Sequence, residues 1–281
     1  MDELIFQLLA GQRLRATGFI VTVYGDVAEP RGGRLWMATL IEICRLVRIS
    51  ETLVRTAVSR LVAAGRLAGE RDGRRSCYRL TEAARAEFAE AAARIFAPAR
   101  APGRWLIAGA VGNEETLLSG AFQPLGGGLW LGAAQPGAAI PAEFTMRVEI
   151  ATGGEAFRAF AAERWRLGEH AAAYATFCER FAPLASASQA GSALHGEASL
   201  VARLLLVHHF RMAVLADPHL PADALGPDWP GGQARTLFSK LYRYLSPAAD
   251  GFIEQGFSAA DGPLPRETEA TQRRMLALAG A

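Results

Sequence analysis

Residues 37–81 read MATLIEICRLVRISETLVRTAVSRLVAAGRLAGERDGRRSCYRLT, and this stretch decides the fold of the N-terminal part of the chain. Its apolar residues recur at helical spacing from Met37 to Val47, before a three-residue break at 48–50. Ser50 is a favourable N-cap for a second helix over residues 51–64, which a glycine then ends. The stretch therefore predicts two helices joined by a short turn.

The second predicted helix has two contrasting faces. At about 100° per residue, its apolar residues fall on one arc: Val54, Ala57, Val58 and Leu61. The opposite arc holds arginines and hydroxyl-bearing residues: Thr52, Arg55, Thr56, Ser59 and Arg60. Such a helix buries one side and presents the other to a partner that carries negative charge and accepts hydrogen bonds.

A β-hairpin is predicted after the two helices. Residues 67–71 and 76–80 have the pattern of short strands, and Asp72-Gly73 between them is a favoured two-residue turn. Three arginines lie at its tip: Arg71, Arg74 and Arg75. The order helix, turn, helix, hairpin predicts a winged helix-turn-helix, in which arginines bind guanine edges and phosphates. The arginines of the tip and the five residues of the polar arc are the candidate contacts to double-stranded DNA.

The distribution of charge supports a polyanionic partner. The whole chain has a net charge of +2, but residues 31–80 carry 11 arginines against 4 acids. Residues 81–281 carry 17 basic against 20 acidic groups. Positive charge concentrated on a near-neutral remainder is the pattern expected for nucleic-acid contact. Composition alone leaves a solvated charged face open as the alternative.

Composition also excludes several classes of protein. Of the 281 residues, 51% are hydrophobic and 21% charged, which is typical of a folded globular chain. No apolar run approaches the roughly 18 residues of a membrane span, and the opening Met1-Asp2-Glu3 is acidic where a secretory signal is basic. We expect a cytoplasmic protein with no membrane partner. Cys44, Cys77 and Cys178 are too far apart to predict a disulfide framework or a CxxC metal site.

The secondary-structure pattern predicts an α+β protein of three domains. Residues 1–97 form the winged helix-turn-helix domain, and the proline-bearing residues 98–103 are the best linker candidate. Alternating strand and helix patterns over 103–168 suggest a small central domain, ferredoxin-like in arrangement. Residues 169–281 read as an α-helical domain for effector binding or dimerisation, with loops at 217–230 and 247–265.

Two segments allow alternatives at this stage. Residues 17–24 are apolar and β-branched, so they fit a strand or a buried helix, and Gly25-Asp26 after them marks a loop. In the C-terminal part, five apolar residues exceed what one isolated helix face needs: Leu200, Val201, Leu204, Leu205 and Val207. They form either a dimer surface or an internal core.

Several short motifs along the chain have a distinctive combination. VRTAVSRL at 54–61 is followed by GRRSCYRLT at 73–81, and the remaining motifs are Gly25-Asp26, Arg31-Gly32-Gly33, Leu35-Trp36-Met37, Arg211, Asp217-Pro218, Leu220-Pro221, Pro227-Asp228-Trp229-Pro230-Gly231 and Leu241-Tyr242. In this combination the sequence resembles the PaaX-type repressors of phenylacetate degradation. The resemblance spans the chain and is strongest over 18–82.

The resemblance implies a homodimer that binds palindromic operators and is released by an aryl-acetyl-CoA such as phenylacetyl-CoA. It implies no other cofactor. A CoA thioester needs cationic groups for its phosphates and an apolar cavity for its acyl tail. Residues that combine these chemistries outside the DNA-binding part are the candidate ligand-binding set: Arg164, Trp165, Tyr174, His208, His209 and Arg211. The acidic Glu114-Glu115 and the run Trp165-Arg166-Leu167 depart from the family pattern.

Two other functional classes fit the sequence less well. An enzyme needs convergent reactive groups, yet the chain has no HExxH, GxSxG, GxGxxG or GK[ST] motif. The alternative is a winged-helix regulator or protein-interaction scaffold that answers to a different acyl-CoA or to no small ligand. A scaffold would tolerate loss of the Arg55, Arg74 and Arg75 charges, whereas a repressor would not.

Overall fold

The computed structural model describes residues 3–73, 75–97, 103–109, 114–119, 121–134, 139–259 and 262–280. The chain divides into two compact units. Unit 1 comprises Met1–Ala99, Phe177–Leu215 and Gln233–Ala281, and unit 2 comprises Arg100–Thr176 and Ala216–Gly232. The mixture of helices and small sheets confirms the predicted α+β class.

The division into units bears on the predicted domains. The boundary at Ala99 lies inside the predicted linker, of which residue 103 is described. Most of the C-terminal helical residues share unit 1 with the N-terminal residues. The division into three domains at 1–97, 103–168 and 169–281 stays a prediction.

Unit 1 begins with two helices. α1 spans Glu3–Leu9 and α2 spans Ala16–Val23. The ambiguous residues 17–24 are therefore helical rather than extended. Phe19, Ile20 and Val23 are completely buried, which explains why this helix has no polar face in the sequence.

α2 continues into an irregular extension. A π-helical turn spans Tyr24–Ala28, and a 3-10 turn spans Glu29–Arg31. The loop predicted at Gly25-Asp26 is therefore wrong. Asp26 lies within this π-helical turn and is buried in the core with 1% exposure.

The two helices and the hairpin predicted from residues 37–81 form in unit 1. The elements are β1 (Arg34–Trp36), α3 (Met37–Leu46), α4 (Glu51–Ala63), β2 (Leu67–Asp72) and β3 (Arg75–Leu80). The strands make an antiparallel sheet in the order β1-β3-β2. α5 (Glu82–Phe96) follows, and the Thr81 hydroxyl accepts a capping hydrogen bond from Ala84 N at 3.2 Å.

Two local predictions in this segment differ from the structure. Ser50 stands at the N-cap of α4, but its side chain makes no capping hydrogen bond. The register pairs Asp72 with Arg75, so Asp72 belongs to the strand, and its predicted place in the turn is wrong. Gly73 has a φ of +59°, the left-handed conformation that two-residue hairpin turns require.

Unit 2 is built on a four-stranded antiparallel sheet. Its elements are β4 (Arg104–Gly109), α6 (Glu114–Ser119), β5 (Gln123–Gly126), β6 (Leu129–Ala134), β7 (Phe144–Arg147) and α7 (Gly154–Arg164). The strand order β5-β6-β4-β7 places the first strand beside the third, as in a ferredoxin-like sheet. The second crossover helix of that fold is not found in the described residues 139–143, and α7 follows β7 instead. The full ferredoxin-like arrangement stays a prediction.

The core of unit 2 is aromatic. The rings of Trp105 and Trp165 lie 5.5 Å apart between centroids, and both are almost fully buried. The indole N–H of Trp105 donates to Asp223 Oδ1 at 2.8 Å, and that of Trp165 donates to the Ala121 carbonyl at 2.6 Å. Each buried indole therefore has its N–H satisfied, which fixes both rings as structural.

Four helices and a small hairpin complete the chain. They are α8 (Leu167–Gln189), α9 (Gly196–Ala216), α10 (Gly231–Gly256), β8 (Ser258–Ala259), β9 (Gly262–Pro263) and α11 (Glu269–Ala279). α10 continues past Pro247, so the loop predicted at 247–265 is wrong over its first half.

α9 is the central helix of unit 1. The five apolar residues that the sequence left open, Leu200, Val201, Leu204, Leu205 and Val207, are each exposed by 2% or less. They are internal core, and the dimer surface suggested for them is wrong. Among the described residues α9 is the one helix long and apolar enough to cross a membrane, but 72% of its apolar window is buried. Burial of this extent marks it as a core helix.

A buried ionic network joins the extension of α2 to the C-terminal helices. Asp26 Oδ2 accepts from Arg203 Nε at 3.0 Å, and Asp26 Oδ1 accepts from the Tyr242 hydroxyl at 2.9 Å. Asp250 Oδ1 accepts from both Arg203 Nη1 and Arg31 Nη2 at 2.6 Å. The network therefore ties three segments that are far apart in sequence: the extension of α2, α9 and α10.

Pairing outweighs burial at the centre of this network. Arg203 is 1% exposed, and burial alone would lower the pKa of its guanidinium. The charges of Asp26 and Asp250 more than offset this effect and raise the pKa of Arg203. Such a group stabilises the fold only while its partners are present, because removing one leaves an uncompensated buried charge.

We predict that Arg203→Met strongly destabilises the protein. Methionine nearly fills the space but leaves Asp26 without its closest cation, so the free energy of unfolding should fall by about 3–5 kcal/mol. Urea denaturation followed by circular dichroism measures the change. The control is Arg273→Met, which removes an exposed partner of Glu269 and should cost less than about 1 kcal/mol. Equal stabilities of the two variants would contradict the prediction.

Candidate nucleic-acid interface

The polar arc of α4 lies on the surface of unit 1. The four apolar residues of the helix, Val54, Ala57, Val58 and Leu61, are buried as the sequence predicted. All five residues of the polar arc, Thr52, Arg55, Thr56, Ser59 and Arg60, are exposed. We call these five residues the α4 arc. It presents two guanidinium groups and three hydroxyls along one side of a single helix.

Local hydrogen bonds hold part of the α4 arc in position. Arg55 Nε donates to Glu51 Oε1 at 2.8 Å, one turn earlier, and the Thr56 hydroxyl donates to the Thr52 carbonyl at 2.8 Å. Both side chains of the Arg55–Glu51 pair are more than half exposed. An exposed pair of this kind contributes about 0.3–0.5 kcal/mol, so Arg55 can exchange Glu51 for another anion at little cost.

The hairpin arginines differ in what the structure shows of them. Arg71 and Arg75 are exposed, and the Arg75 guanidinium lies 5.7 Å from the centre of the Trp36 ring. Arg74 lies outside the described residues. On the flank of the same sheet, Glu70 accepts hydrogen bonds from Arg79 and Arg34, which lower the pKa of its carboxyl.

A groove borders the α4 arc on the side of Arg55. It has a volume of about 820 Å³ and runs between the start of α4, α3 and the hairpin. Its charged lining residues are Glu42, Arg45, Glu51, Arg55 and Arg75. The lining of this groove contains both acidic and basic side chains, so carboxylates are available to balance the charge of its arginines.

A cavity borders the α4 arc on the opposite side. It has a volume of about 860 Å³, and its charged lining residues are Arg13, Arg15, Arg60 and Arg180. No acidic residue is among the described residues that line it. His208 and His209 of α9 also line this space, which we call the arginine cavity.

The two histidines of the arginine cavity are held by hydrogen bonds. His208 Nδ1 lies 2.9 Å from the Thr22 hydroxyl, and His209 Nε2 lies 2.8 Å from Gln12 Oε1. Burial lowers the pKa of both imidazoles to about 4, and the nearby arginines Arg211 and Arg180 add to the shift. Both rings are therefore neutral near pH 7.

The six predicted ligand-binding residues fall into two sets. His208, His209 and the half-buried Arg211 belong to unit 1, whereas Arg164, Trp165 and Tyr174 belong to unit 2. Within unit 2, Arg164 is exposed over the Phe160 ring at 5.5 Å. Trp165 and Tyr174 are 4% and 2% exposed, and the Tyr174 hydroxyl donates to Asp217 Oδ2 at 2.7 Å. Both rings are packed in the core of unit 2, and their role in ligand binding stays a prediction.

Sequence reasoning missed three of the four arginines that line the arginine cavity. Arg13 and Arg15 lie in the segment between α1 and α2, and Arg180 lies on α8. No sequence motif links these positions to each other or to α4. The one available signal was the lack of an acidic residue in the run Gly11–Gly18, which carries two arginines.

Two regions of the chain match known protein families. Residues 15–84 match the family described as PaaX-like protein, and residues 165–255 match the PaaX-like protein C-terminal domain. The transcriptional repressor PaaX of Escherichia coli (strain K12) is 30% identical over 291 aligned positions, which cover 94% of this chain and 91% of that protein. This chain belongs to the PaaX family. The PaaX relative is a transcriptional repressor, which confirms the prediction of a non-enzymatic regulator.

A solved structure also resembles this PaaX-family chain. The uncharacterized protein Rv0674 from Mycobacterium tuberculosis is 22% identical, with a TM-score of 0.49. The similarity covers 85% of this chain and 99% of that one. Within the PaaX family match, residues 15–84 include the whole α4 arc and the hairpin, and residues 165–255 include Arg203, His208 and His209.

We predict that the two buried histidines make this PaaX-family protein less stable in mild acid. Their folded pKa of about 4 lies below the ordinary value of about 6.5. The unfolded chain therefore binds more protons, and the free energy of unfolding falls as the pH drops from about 6.5 toward 4. The double variant His208→Asn/His209→Gln should lose less stability between about pH 7 and pH 5 than the parent. Urea titrations at both pH values test this, and equal losses would refute it.

Proposed function

We propose that this PaaX-family chain is a transcriptional repressor that binds double-stranded operator DNA through a winged helix-turn-helix. In this proposal α3 and α4 form the helix-turn-helix, and β2 and β3 form the wing. The observation that carries it is the α4 arc, where two arginines and three hydroxyl-bearing residues are exposed on the side opposite a buried apolar face. Family membership supports repression as the outcome of DNA binding.

The chemistry of the α4 arc suits the major groove. A helix fits the groove of B-DNA, where arginine binds guanine O6 and N7 and hydroxyls contact bases or phosphates. Arg55 and Ser59 are one turn apart on the arc, so both can face neighbouring base pairs. Arg71 and Arg75 of the wing would lie against the backbone, where they add affinity with little sequence reading. Arg74 has the same proposed role.

The proposal includes a homodimer on a two-fold operator. One winged helix makes few base contacts, so useful specificity over a genome requires two copies. The proposed setting is the cytoplasm, where the protein would control an aromatic, phenylacetate-type catabolic operon, as the resemblance of its sequence motifs to the PaaX-type repressors implies.

The proposed effector is an aryl-acetyl-CoA such as phenylacetyl-CoA. His208 and His209 line the arginine cavity beside α4, and Arg211 lies next to them on α9. For the effector to release DNA it must bind the free conformation more tightly than the operator-bound one, because equal affinity would shift nothing. A winged-helix regulator that answers to a different acyl-CoA is the second candidate, favoured by Trp165 and Tyr174 being core rather than pocket residues.

We predict that Arg55→Ala weakens specific operator binding by about 1–3 kcal/mol and relaxes base preference at one position. Arg75→Ala should weaken binding to all duplexes more evenly and reduce its salt dependence. Fluorescence anisotropy with operator and scrambled duplexes separates the two effects. The control is Arg158→Ala on α7 of unit 2, which removes the same charge from an exposed arginine that belongs to neither the α4 arc nor the wing. Parent-like binding by both variants would overturn the DNA-binding assignment.

We predict that phenylacetyl-CoA weakens operator binding while free phenylacetate does not. Phenylacetyl-CoA carries the phosphates of its CoA part as well as the aryl group. The cationic residues near α9 would bind those phosphates, which free phenylacetate lacks. Footprinting of the operator with each compound measures release. If the two compounds act alike, or if neither acts, the aryl-CoA class of effector is wrong and the repressor assignment is unaffected.

A further inference from the structure

One apolar side chain lies exposed at the edge of the α4 arc. Leu53 is 55% exposed, although the next two apolar residues of the helix, Val54 and Ala57, are buried. Positions three residues apart are neighbours on a helix, and positions seven apart lie about two turns apart on nearly the same line. Leu53 is therefore next to Thr56 and in line with Arg60. We call these three residues the Leu53 strip.

The hydroxyl of Thr56 is already used inside the helix. It donates to the Thr52 carbonyl at 2.8 Å. A threonine hydroxyl carries a single proton, so in this conformation it has none to give to a phosphate oxygen or to an acceptor atom of a base. Thr56 is exposed, and the group that it can bring to a partner is its methyl. Two adjacent residues of the Leu53 strip therefore offer apolar groups.

The major groove of DNA contains one apolar group that matches such a surface. Thymine carries its 5-methyl group there, whereas the other bases are distinguished by polar donors and acceptors. Apolar side-chain groups, among them the threonine methyl, contact this methyl in protein–DNA complexes. Contact with it would remove the apolar surface of Leu53 from water, which is favourable.

The charge next to Leu53 and Thr56 fits the same partner. Arg60 is exposed, and within the described part of the chain it makes no hydrogen bond or ion pair. Its guanidinium is therefore available to a phosphate or to a guanine edge at one end of the Leu53 strip. The partner that combines dense negative charge with a small apolar group is a duplex that contains thymine.

We propose that Leu53 and Thr56 together recognise the 5-methyl group of one thymine in each operator half-site. The inference rests on the proposed DNA-binding function of the α4 arc and names a base that the arc recognises. It makes Leu53 a specificity-determining residue. It also assigns the contact of Thr56 to the methyl group rather than to the hydroxyl.

The test removes single methyl groups from the DNA. The probe is the duplex that the parent protects in a footprint of the DNA upstream of its own gene, with each thymine replaced in turn by deoxyuridine, which lacks only the 5-methyl group. Fluorescence anisotropy measures the affinity of the full chain for each duplex. At one thymine of each half-site, deoxyuridine should weaken binding by the parent about three- to fivefold, as expected when one methyl-sized group is no longer buried.

Three variants of α4 assign the methyl contact to its residues. Leu53→Ala and Thr56→Ser each remove apolar contact, so their preference for thymine over deoxyuridine at that position should fall below about twofold, which reveals coupling between side chain and methyl. Thr56→Val keeps the methyl and removes the hydroxyl, so it should keep the preference for thymine. Both replaced residues are exposed, and thermal unfolding should confirm that each variant is folded.

Two controls change exposed apolar residues outside the Leu53 strip. Val62→Ala alters α4 about 180° round the helix from Leu53, and Met212→Ala alters α9, where Met212 lines the arginine cavity together with Leu53. Val62 and Met212 are 40% and 58% exposed. Both variants should keep the preference of the parent for thymine. Loss of that preference in Met212→Ala would assign it to the cavity and overturn the proposal.

The remaining outcomes separate this inference from the proposed function. If deoxyuridine is tolerated at every position, or if Leu53→Ala and Thr56→Ser discriminate as the parent does, the thymine contact is wrong while DNA binding stands. If Thr56→Ser keeps the preference and Thr56→Val loses it, the hydroxyl makes the contact and the proposal is overturned. A parent that binds no upstream duplex defeats the proposed function and the thymine contact together.

Discussion

The carboxylate of Asp26, buried between Arg203 and Tyr242, is the interaction on which the rest of unit 1 depends. It lies in the π-helical turn that extends α2, so the N-terminal helices are fixed directly to α9 and α10. A buried ion pair offsets its own desolvation only with good geometry and full hydrogen bonding. Asp26 meets that condition with two donors at 3.0 Å or less. The network fixes the position of α2. Because α2 packs against α4, it also holds α4 in place.

This anchoring explains how one helix can serve two surfaces. α4 turns its apolar side toward the core, its polar arc toward solvent, and one edge toward α9. Because His208 binds Thr22 of α2 and His209 binds Gln12 before it, the far wall of the arginine cavity is also tied to the N-terminal helices. A shift of α9 or of the N-terminal helices would therefore alter the packing contacts of α4.

The sequence predicted the parts of the molecule whose signals are local. Helical periodicity predicted α3 and α4. The separation of apolar residues such as Val54 from polar residues such as Arg55 predicted which side of α4 is buried. The hairpin was misplaced by one residue, since Gly73 can stand at either turn position. The ion pair of Asp26 and Arg203 spans 177 residues, and the arginines of the cavity come from three segments. Neither leaves a periodic trace, although Asp26, Arg31 and Tyr242 all lie in the motifs that carry the family resemblance.

The distance in sequence between Asp26 and Arg203 also has a consequence during synthesis. Ribosomes add roughly 5–20 residues per second, so Asp26 waits on the order of 10–35 s for a partner that is made 177 residues later. Over that interval the nascent N-terminal helices carry an unpaired carboxylate on the surface that later packs against α9 and α10. Stable packing of unit 1 must therefore be largely post-translational, and the emerging chain is a natural client for chaperones that shield apolar helices.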